Sequence, residues 1–478
     1  MPAGLMANPS THSCNKTEVW YGFSIIGSIQ NKITNYPAVI SAIFEIVGIF
    51  FKAALLCPIF ANKHLINMTK RHLFLGFIAF FLTANVIAQT SKNLQLGPWR
   101  AELRSQGGGL PVNLSVAPGK KKDTYLIKVI NGSESFHLGE SYFRGDSLVI
   151  PFDLYDSEIV AHVDGSKKMS GYWIKKRNGK FVNQLPFSAQ YGSKERFTAL
   201  KPPTVNVSGT WDVDISVNDK HTPSVGIFKQ VGNKVTGSIL QTSGDYRFLQ
   251  GNVSGDSLLV SYFDGSFVLL FKTKVTAKEI QGTLFSGFAT KKEFKGRLDP
   301  KASLPDLKKL TFLKPGYDRL NFSLPTPKGE TISLQDERFK DKVVIVEIMG
   351  SWCPNCIDEA RFLAPFYAKN KAKGVEVIGV SFEYSPDMAV SGPKIENFKK
   401  KIGIEYPLVF GGVPNDDTIA QVFPMLNKFY GYPTTFVIDK KGKVREIHTG
   451  FSGPGTGLYY TDWVQEFEKT IQNLLKEK

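Results

Sequence analysis

Cysteine is scarce in this chain, with four among 478 residues. So few cannot cross-link a chain of this length, which excludes a disulfide scaffold. Zinc-finger spacing and long basic tracts are also missing. The net charge of +16 is spread over short runs such as Lys120–Lys122, Lys175–Arg177 and Lys399–Lys401. These read as solvated faces, not as a nucleic-acid footprint. Charged residues make up 21% and apolar residues 42%, a globular balance rather than a disordered or wholly membrane-embedded one. The length leaves room for about two to four domains with ample buried core. Aromatic residues reach 12% beside 43 glycines, a mixture that suits β-structure with many turns.

Residues 68–88 carry a signal-peptide pattern. Lys70 and Arg71 form the positive start, Leu73–Leu82 an uncharged apolar stretch, and Ala88 a small residue before Gln89. The apolar run is short for a spanning helix of about 20 residues, so the pattern reads as a signal peptide more readily than as a permanent anchor. No cysteine follows it to accept a lipid. Yet 67 residues precede Met68, among them the apolar stretch Tyr36–Ala61, broken by Glu45 and Lys52. In one reading translation starts at Met68 and residues 1–67 are a start-site artefact. In the other, residues 36–61 belong to a membrane hairpin that tethers the chain. Both readings place residue 89 onward outside the cytoplasm, in the periplasm or cell envelope. Cys14 and Cys57 have no part in either.

From Leu96 to Pro300 alternating segments such as Asp123–Val129 and Ser266–Lys272 are punctuated by Gly, Asn and Asp, which predicts strands and turns. The region also repeats itself. Gly97-Pro98-Trp99 recurs as Gly209-Thr210-Trp211, Gly145-Asp146-Ser147-Leu148 as Gly255-Asp256-Ser257-Leu258, and Gly171-Tyr172-Trp173 more weakly as Gly282-Thr283-Leu284. The offsets are 112, 110 and 111. Two β units are therefore expected, residues 89–200 and 201–300, as sandwiches or partial barrels. No acid/base pair, nucleophile or metal cluster stands out in them. His137, His162 and His221 have no ligand spacing. The units are expected to be non-catalytic, serving as spacer, dimerisation module or binding surface. Residues 301–318 read as a linker.

Beyond residue 318 the pattern changes to alternating strands and helices. Lys342–Met349 and Val375–Phe382 are near-continuous apolar runs suited to buried strands. Ala360–Lys371, Lys394–Ile402 and Asp462–Leu475 have helical patterning, and Thr434–Asp439 and Lys443–His448 flank a turn. This order predicts a mostly parallel central sheet covered by helices. Trp352-Cys353-Pro354-Asn355-Cys356 falls in the turn after the first central strand, with a helix beginning at or near Cys353. Unpaired N–H groups at a helix start stabilise a thiolate, so Cys353 is expected to be the exposed, low-pKa nucleophile. Cys356, one turn on, can attack a mixed disulfide formed by Cys353. Pro354 sits where its missing N–H costs nothing. Half a zinc site would need two further ligands, and this domain offers His448 and no second cysteine pair, so no metal is expected. Pro433, just before a strand, would if cis leave the Tyr432 backbone free to pair with a substrate strand.

With these residues in view, residues 319–478 resemble a thioredoxin-fold domain of the TlpA-like family of exported thiol–disulfide oxidoreductases. The lead-in Phe322-Ser323-Leu324-Pro325, Gly329-Glu330 and Ile332-Ser333-Leu334, the Trp352–Cys356 motif and Tyr432-Pro433-Thr434-Thr435 carry the match. Residues 383–430 fit the family's extra βα insertion. The resemblance covers about a third of the chain and implies an α/β thioredoxin-like domain there; with the duplicated all-β N-terminal region read from the repeat, a multi-domain chain is expected, acting without a cofactor. It implies Cys353 and Cys356 as catalytic dithiol, with Glu347 matching the buried acid that exchanges a proton with the second cysteine. Glu359 matches the active-site glutamate of this branch, although first-turn acids are favoured by the helix dipole in any case. Trp352, Tyr432 and Pro433 are the expected substrate contacts. A proline common two residues after that glutamate is Arg361 here. Pro354-Asn355 lacks the histidine of strongly oxidising relatives, which predicts a reductant of disulfides in other exported proteins, recharged by a membrane thiol-electron carrier. Two alternatives remain. A peroxiredoxin-type peroxidase shares the fold, but its Thr-x-x-Cys setting is Gly350-Ser351-Trp352-Cys353 here. An envelope binding or scaffold protein would recognise its ligand through the β region.

Overall fold

The period-two alternation between Gly97 and Leu298 folds as the pattern predicts. The strand Gly97–Ser105 turns Trp99, Ala101, Leu103 and Ser105 inward and leaves the residues between them closer to solvent. The computed structural model describes residues 93–198 and 200–478. The signal-peptide reading of 68–88 and the tether reading of 36–61 lie outside the described residues. Among those described, no helix is long and apolar enough to cross a membrane.

Two nine-stranded antiparallel sheets result, one from Gly97 to Tyr191 and one from Gly209 to Leu298. Counting strands along the chain within each sheet, both run in the order 2-1-9-8-7-6-5-3-4, and strand 3 turns back to pair with strand 2. Eight strands thus close on themselves, leaving strand 4 as a flap on strand 3. Closure removes the exposed edges that would otherwise pair with other chains. The repeated residues hold equivalent places. Trp99 and Trp211 are fully buried, and each indole N–H donates to the carbonyl four residues earlier, Gln95 at 2.8 Å and Val207 at 2.9 Å. Gly145 and Gly255 each open a two-residue hairpin at φ 61° and 59°, a left-handed position that glycine takes without strain. Arg196, from the connection between the sheets, is 3% exposed and joins Asn113, Asn131 and the Ile130 carbonyl of the first to Gln250 and Ser261 of the second. We expect Trp211→Ala to destabilise the chain by about 3–5 kcal/mol, read as a lower urea midpoint of the β region. An unchanged midpoint would show that the indole is not a keystone of its barrel.

The remaining chain forms a domain with strands β1 (Ser323–Pro325), β2 (Thr331–Ser333), β3 (Val343–Met349), β4 (Val375–Phe382), β5 (Leu408–Gly412), β6 (Thr434–Ile438) and β7 (Val444–Thr449). Its helices are α1 (Pro354–Asn370), α2 (Met388–Ile402), α3 (Asp416–Val422) and α4 (Leu458–Lys476). The central sheet runs β5-β4-β3-β6-β7. The expected mostly parallel sheet is corrected here: β3–β4 and β4–β5 are parallel, whereas β3–β6 and β6–β7 are antiparallel. A helical crossover such as α1 or α2 returns the chain parallel, while the tight turn at Lys440-Lys441-Gly442 can only reverse it. Every residue of β3 is buried, as a central strand covered on both faces must be. Residues 301–318 lie against this domain. The Lys314 N–H donates to the Met425 carbonyl at 2.8 Å, and buried Thr311 accepts from the Thr449 hydroxyl at 2.8 Å.

Candidate active site

The chain leaves β3 through Gly350–Trp352 and enters α1 with Cys353 as its N-cap. Glu383, at the end of β4, holds this turn: it accepts from the Ser351 N–H and hydroxyl, each at 2.9 Å, and from Ser381 at 2.7 Å. The Trp352 indole donates to the Phe382 carbonyl at 2.9 Å and lies against Tyr384 and Tyr432, ring centres 4.9 and 5.3 Å away. Cysteine is an unusual cap, because its sulfur does what a serine oxygen does at most helix starts. Cys353 Sγ accepts the Cys356 N–H at 3.3 Å. Both sulfurs are free thiols. Cys356 is fully buried, and Cys353 is only 5% exposed; the expected exposed nucleophile is corrected to a buried one, because the Tyr432 loop closes against its sulfur. The Tyr432–Pro433 bond is cis, and the Tyr432 carbonyl lies 3.9 Å from Cys353 Sγ.

Beneath the dithiol sit two carboxyl groups. Glu347 on β3 and Glu359 on α1 are fully buried. Glu359 accepts from Thr435 at 2.8 Å, and Thr435 is the β6 residue opposite Glu347. Neither Glu347 oxygen has a hydrogen-bond partner in the protein. Burial pushes the Glu347 carboxyl well up, and the nearby Glu359 and Cys353 push it further. Burial likewise raises Glu359 to about 8, against the opposing bond from Thr435. The Cys356 thiol is driven well up by burial first, then by Cys353 and Glu347. A thiol that holds its proton tightly therefore sits beside two carboxyls whose hold on their own protons burial has strengthened.

Three residues at this site carried no functional reading in the sequence. Tyr406 is buried with its hydroxyl unpartnered, and burial, then Glu347 and Glu359, push its ionisation up. Thr435 had a signal in hindsight, two residues past Pro433 on the strand beside β3. Arg247 comes from the second barrel. It is 2% exposed and donates to the Pro354 carbonyl at 2.7 Å, to Asp358 of α1 at 2.9 Å and to Glu134 of the first barrel at 2.8 Å. Burial lifts the Asp358 carboxyl to about 7, with Arg247 pulling against it.

A dithiol capping a helix at the end of a central strand, beside a cis-proline loop, defines a thiol–disulfide oxidoreductase of the thioredoxin fold. Comparison with known proteins agrees. A model of the AhpC/TSA family matches residues 315–447. The thiol-disulfide oxidoreductase ResA of Bacillus subtilis (strain 168) is 33% identical over 135 residues, which is 28% of this chain and 67% of that protein. ResA of Geobacillus kaustophilus is 31% identical over 132 residues, 27% of this chain and 66% of that protein. This chain thus spans about two-thirds of the length of the curated relatives it matches. The crystal structure of a thioredoxin-family thiol:disulfide interchange protein from Chlorobium tepidum TLS is 23% identical, covering 33% of this chain and 95% of that one, with a TM-score of 0.26. Through its C-terminal third the chain belongs to the ResA-like, TlpA-like family of thiol–disulfide oxidoreductases.

Proposed function

We propose that this chain is an exported reductant of disulfides in other envelope proteins, working through Cys353 and Cys356. The observation that carries the reading is the capping geometry: Cys353 heads α1, with Cys356 one turn on and bonded through its N–H to the Cys353 sulfur at 3.3 Å. In the proposed cycle the Cys353 thiolate attacks a substrate disulfide. A Cys353–substrate bond forms, the substrate S–S bond breaks, and the first substrate thiolate leaves to take a proton. Cys356 then gives its proton to the Glu347/Glu359 pair and attacks the Cys353 sulfur. The Cys353–Cys356 disulfide forms, the Cys353–substrate bond breaks, and the second substrate sulfur leaves as a thiolate that takes up the proton held by the pair, so that the substrate has gained two electrons and two protons. A membrane thiol-electron carrier returns both electrons to the pair. Trp352, Tyr432 and Pro433 would flank the substrate.

We read the two barrels as a duplication, which their common strand order and the matched Trp99 and Trp211 support. The AhpC/TSA match favours one competing reading, a peroxidase. Against it stand the lead-in Gly350-Ser351-Trp352 and the second cysteine one turn from the first. Equilibration with dithiothreitol is expected to give a potential near −270 mV or lower, as for a reductant; a value near about −120 mV would make it an oxidant. Thiol-dependent peroxide consumption faster than disulfide reduction would turn the reading to the peroxidase.

A further inference from the structure

The face of the redox domain around Cys353 is covered by another part of the same chain. The segment Thr242–Arg247 of the second barrel, which includes the short strand Gly244–Asp245, lies along the Trp352–Asn355 turn, the Gly431–Pro433 loop and the Gly450–Gly455 loop. A Cβ placed on Gly431 would come within 2.8 Å of the Ser243 Cβ, and one on Gly450 would meet the Thr242 carbonyl and the Ser243 and Gly244 backbone. The Gly453 N–H donates to Asp245 at 2.6 Å. With its amide turned so that donor faces acceptor, Asn355 pairs with both backbone groups of Asp245 at 3.3 Å. Arg247, in a left-handed conformation at φ 56°, secures the end of the segment on the Pro354 carbonyl and Asp358.

Any polypeptide whose disulfide reaches Cys353 must lie on these loops, because they are the backbone that borders the sulfur. The Tyr432 carbonyl is 3.9 Å from it, and Cys353 is 5% exposed. A cleft of about 280 Å³ runs from Ser351, Trp352 and Tyr384 to Asp156 and Lys175–Arg177 of the first barrel. Cys353 does not itself line that cleft, so size and not a separate entrance separates the substrates: a small disulfide needs to meet only the sulfur, a polypeptide the length of the bordering loops.

We propose that Thr242–Arg247 is a built-in competitor for the polypeptide groove and the element that determines which disulfides reach Cys353. The proposal rests on the thiol–disulfide reading above. It makes the reaction with polypeptide disulfides scale with the fraction of chains whose segment is displaced, while small disulfides react in either state. The full chain with Ser243→Trp, whose indole has no room against Gly431, separates the two. Reduction of insulin is expected to rise about tenfold or more over the parent chain, as a small open fraction becomes a large one. Reduction of 5,5′-dithiobis(2-nitrobenzoate) should stay within about twofold. Ser243→Asp, smaller but charged, should give the same sign and guards against misfolding of the tryptophan variant. Equal insulin rates in parent and folded variants would overturn the proposal. Failure of the parent chain to reduce either disulfide would instead sink the thiol–disulfide reading. Alkylation of the reduced chain then still tests the covering segment. Iodoacetamide should modify Cys353 in the parent, whereas a polyethylene-glycol maleimide should do so at a comparable rate only in the Ser243 variants. Equal maleimide rates in all chains would overturn it.

Discussion

A Cys356→Ser chain mixed with a disulfide substrate should accumulate a covalent adduct on Cys353, visible by mass spectrometry, while Cys353→Ser should form none. Steady-state reduction should fall on the order of 10³-fold or more in both, the scale on which loss of a reacting nucleophile is felt. The asymmetry follows from the helix. Cys353 is the cap and keeps 5% of its surface exposed, whereas Cys356 is fully buried one turn inside. Burial and the neighbouring Cys353 and Glu347 also hold the Cys356 proton in place. In the proposed cycle the inner thiol would be poor at first attack and would act once a mixed disulfide stands beside it. An adduct on Cys356 of the Cys353→Ser chain, formed at the parent rate, would reverse the assignment.

The second large effect concerns the buried carboxyls. If the Glu347/Glu359 pair accepts the Cys356 proton, Glu347→Gln should slow resolution of the mixed disulfide about 10²-fold, the usual weight of a positioned base. The first attack should change little. A base must be ionised to act, so resolution in the parent chain should quicken as pH rises through the titration of the pair, near the value of about 8 for Glu359. Glu359 raises its neighbour, so Glu359→Gln should move that limb to lower pH. A pH limb unmoved by either substitution would place the proton elsewhere.

The same carboxyls tie stability to pH. Both are held above the ordinary glutamate value of about 4.3. The folded chain therefore keeps protons that the unfolded chain releases. The contribution of these groups is fully present below about pH 4 and is lost toward pH 8, by about 1.4 kcal/mol per unit for one such group. Glu359→Gln should accordingly melt higher than the parent at neutral pH and alike in acid.

Sequence patterning reached the local features and stopped at the contacts between distant parts. An apolar strand followed by Cys-Pro-Asn-Cys forces the dithiol onto a helix start, and one helical turn then fixes the spacing of the sulfurs. The lone Glu347 in the run Val343–Met349 marks a carboxyl that burial must keep protonated. Repeated Gly-x-Trp and Gly-Asp-Ser-Leu segments mark two like β units, since each carries its own turn and core anchor. In all these the decisive neighbours lie within a few residues along the chain.

Tyr406, Arg247 and the Thr242–Arg247 segment belong to the other kind. Arg247 looks like any solvated base in a Lys- and Arg-rich sequence. It is buried because two barrels and α1 converge on it, bringing Glu134, Asp358 and the Pro354 carbonyl from 113, 111 and 107 residues away. The antiparallel half of the sheet arises likewise from where the chain returns, which hydropathy does not encode. Periodicity records only whether a side chain meets solvent or core. What it meets there is set when whole domains pack, and that packing alone brought the second barrel onto the loops around the dithiol.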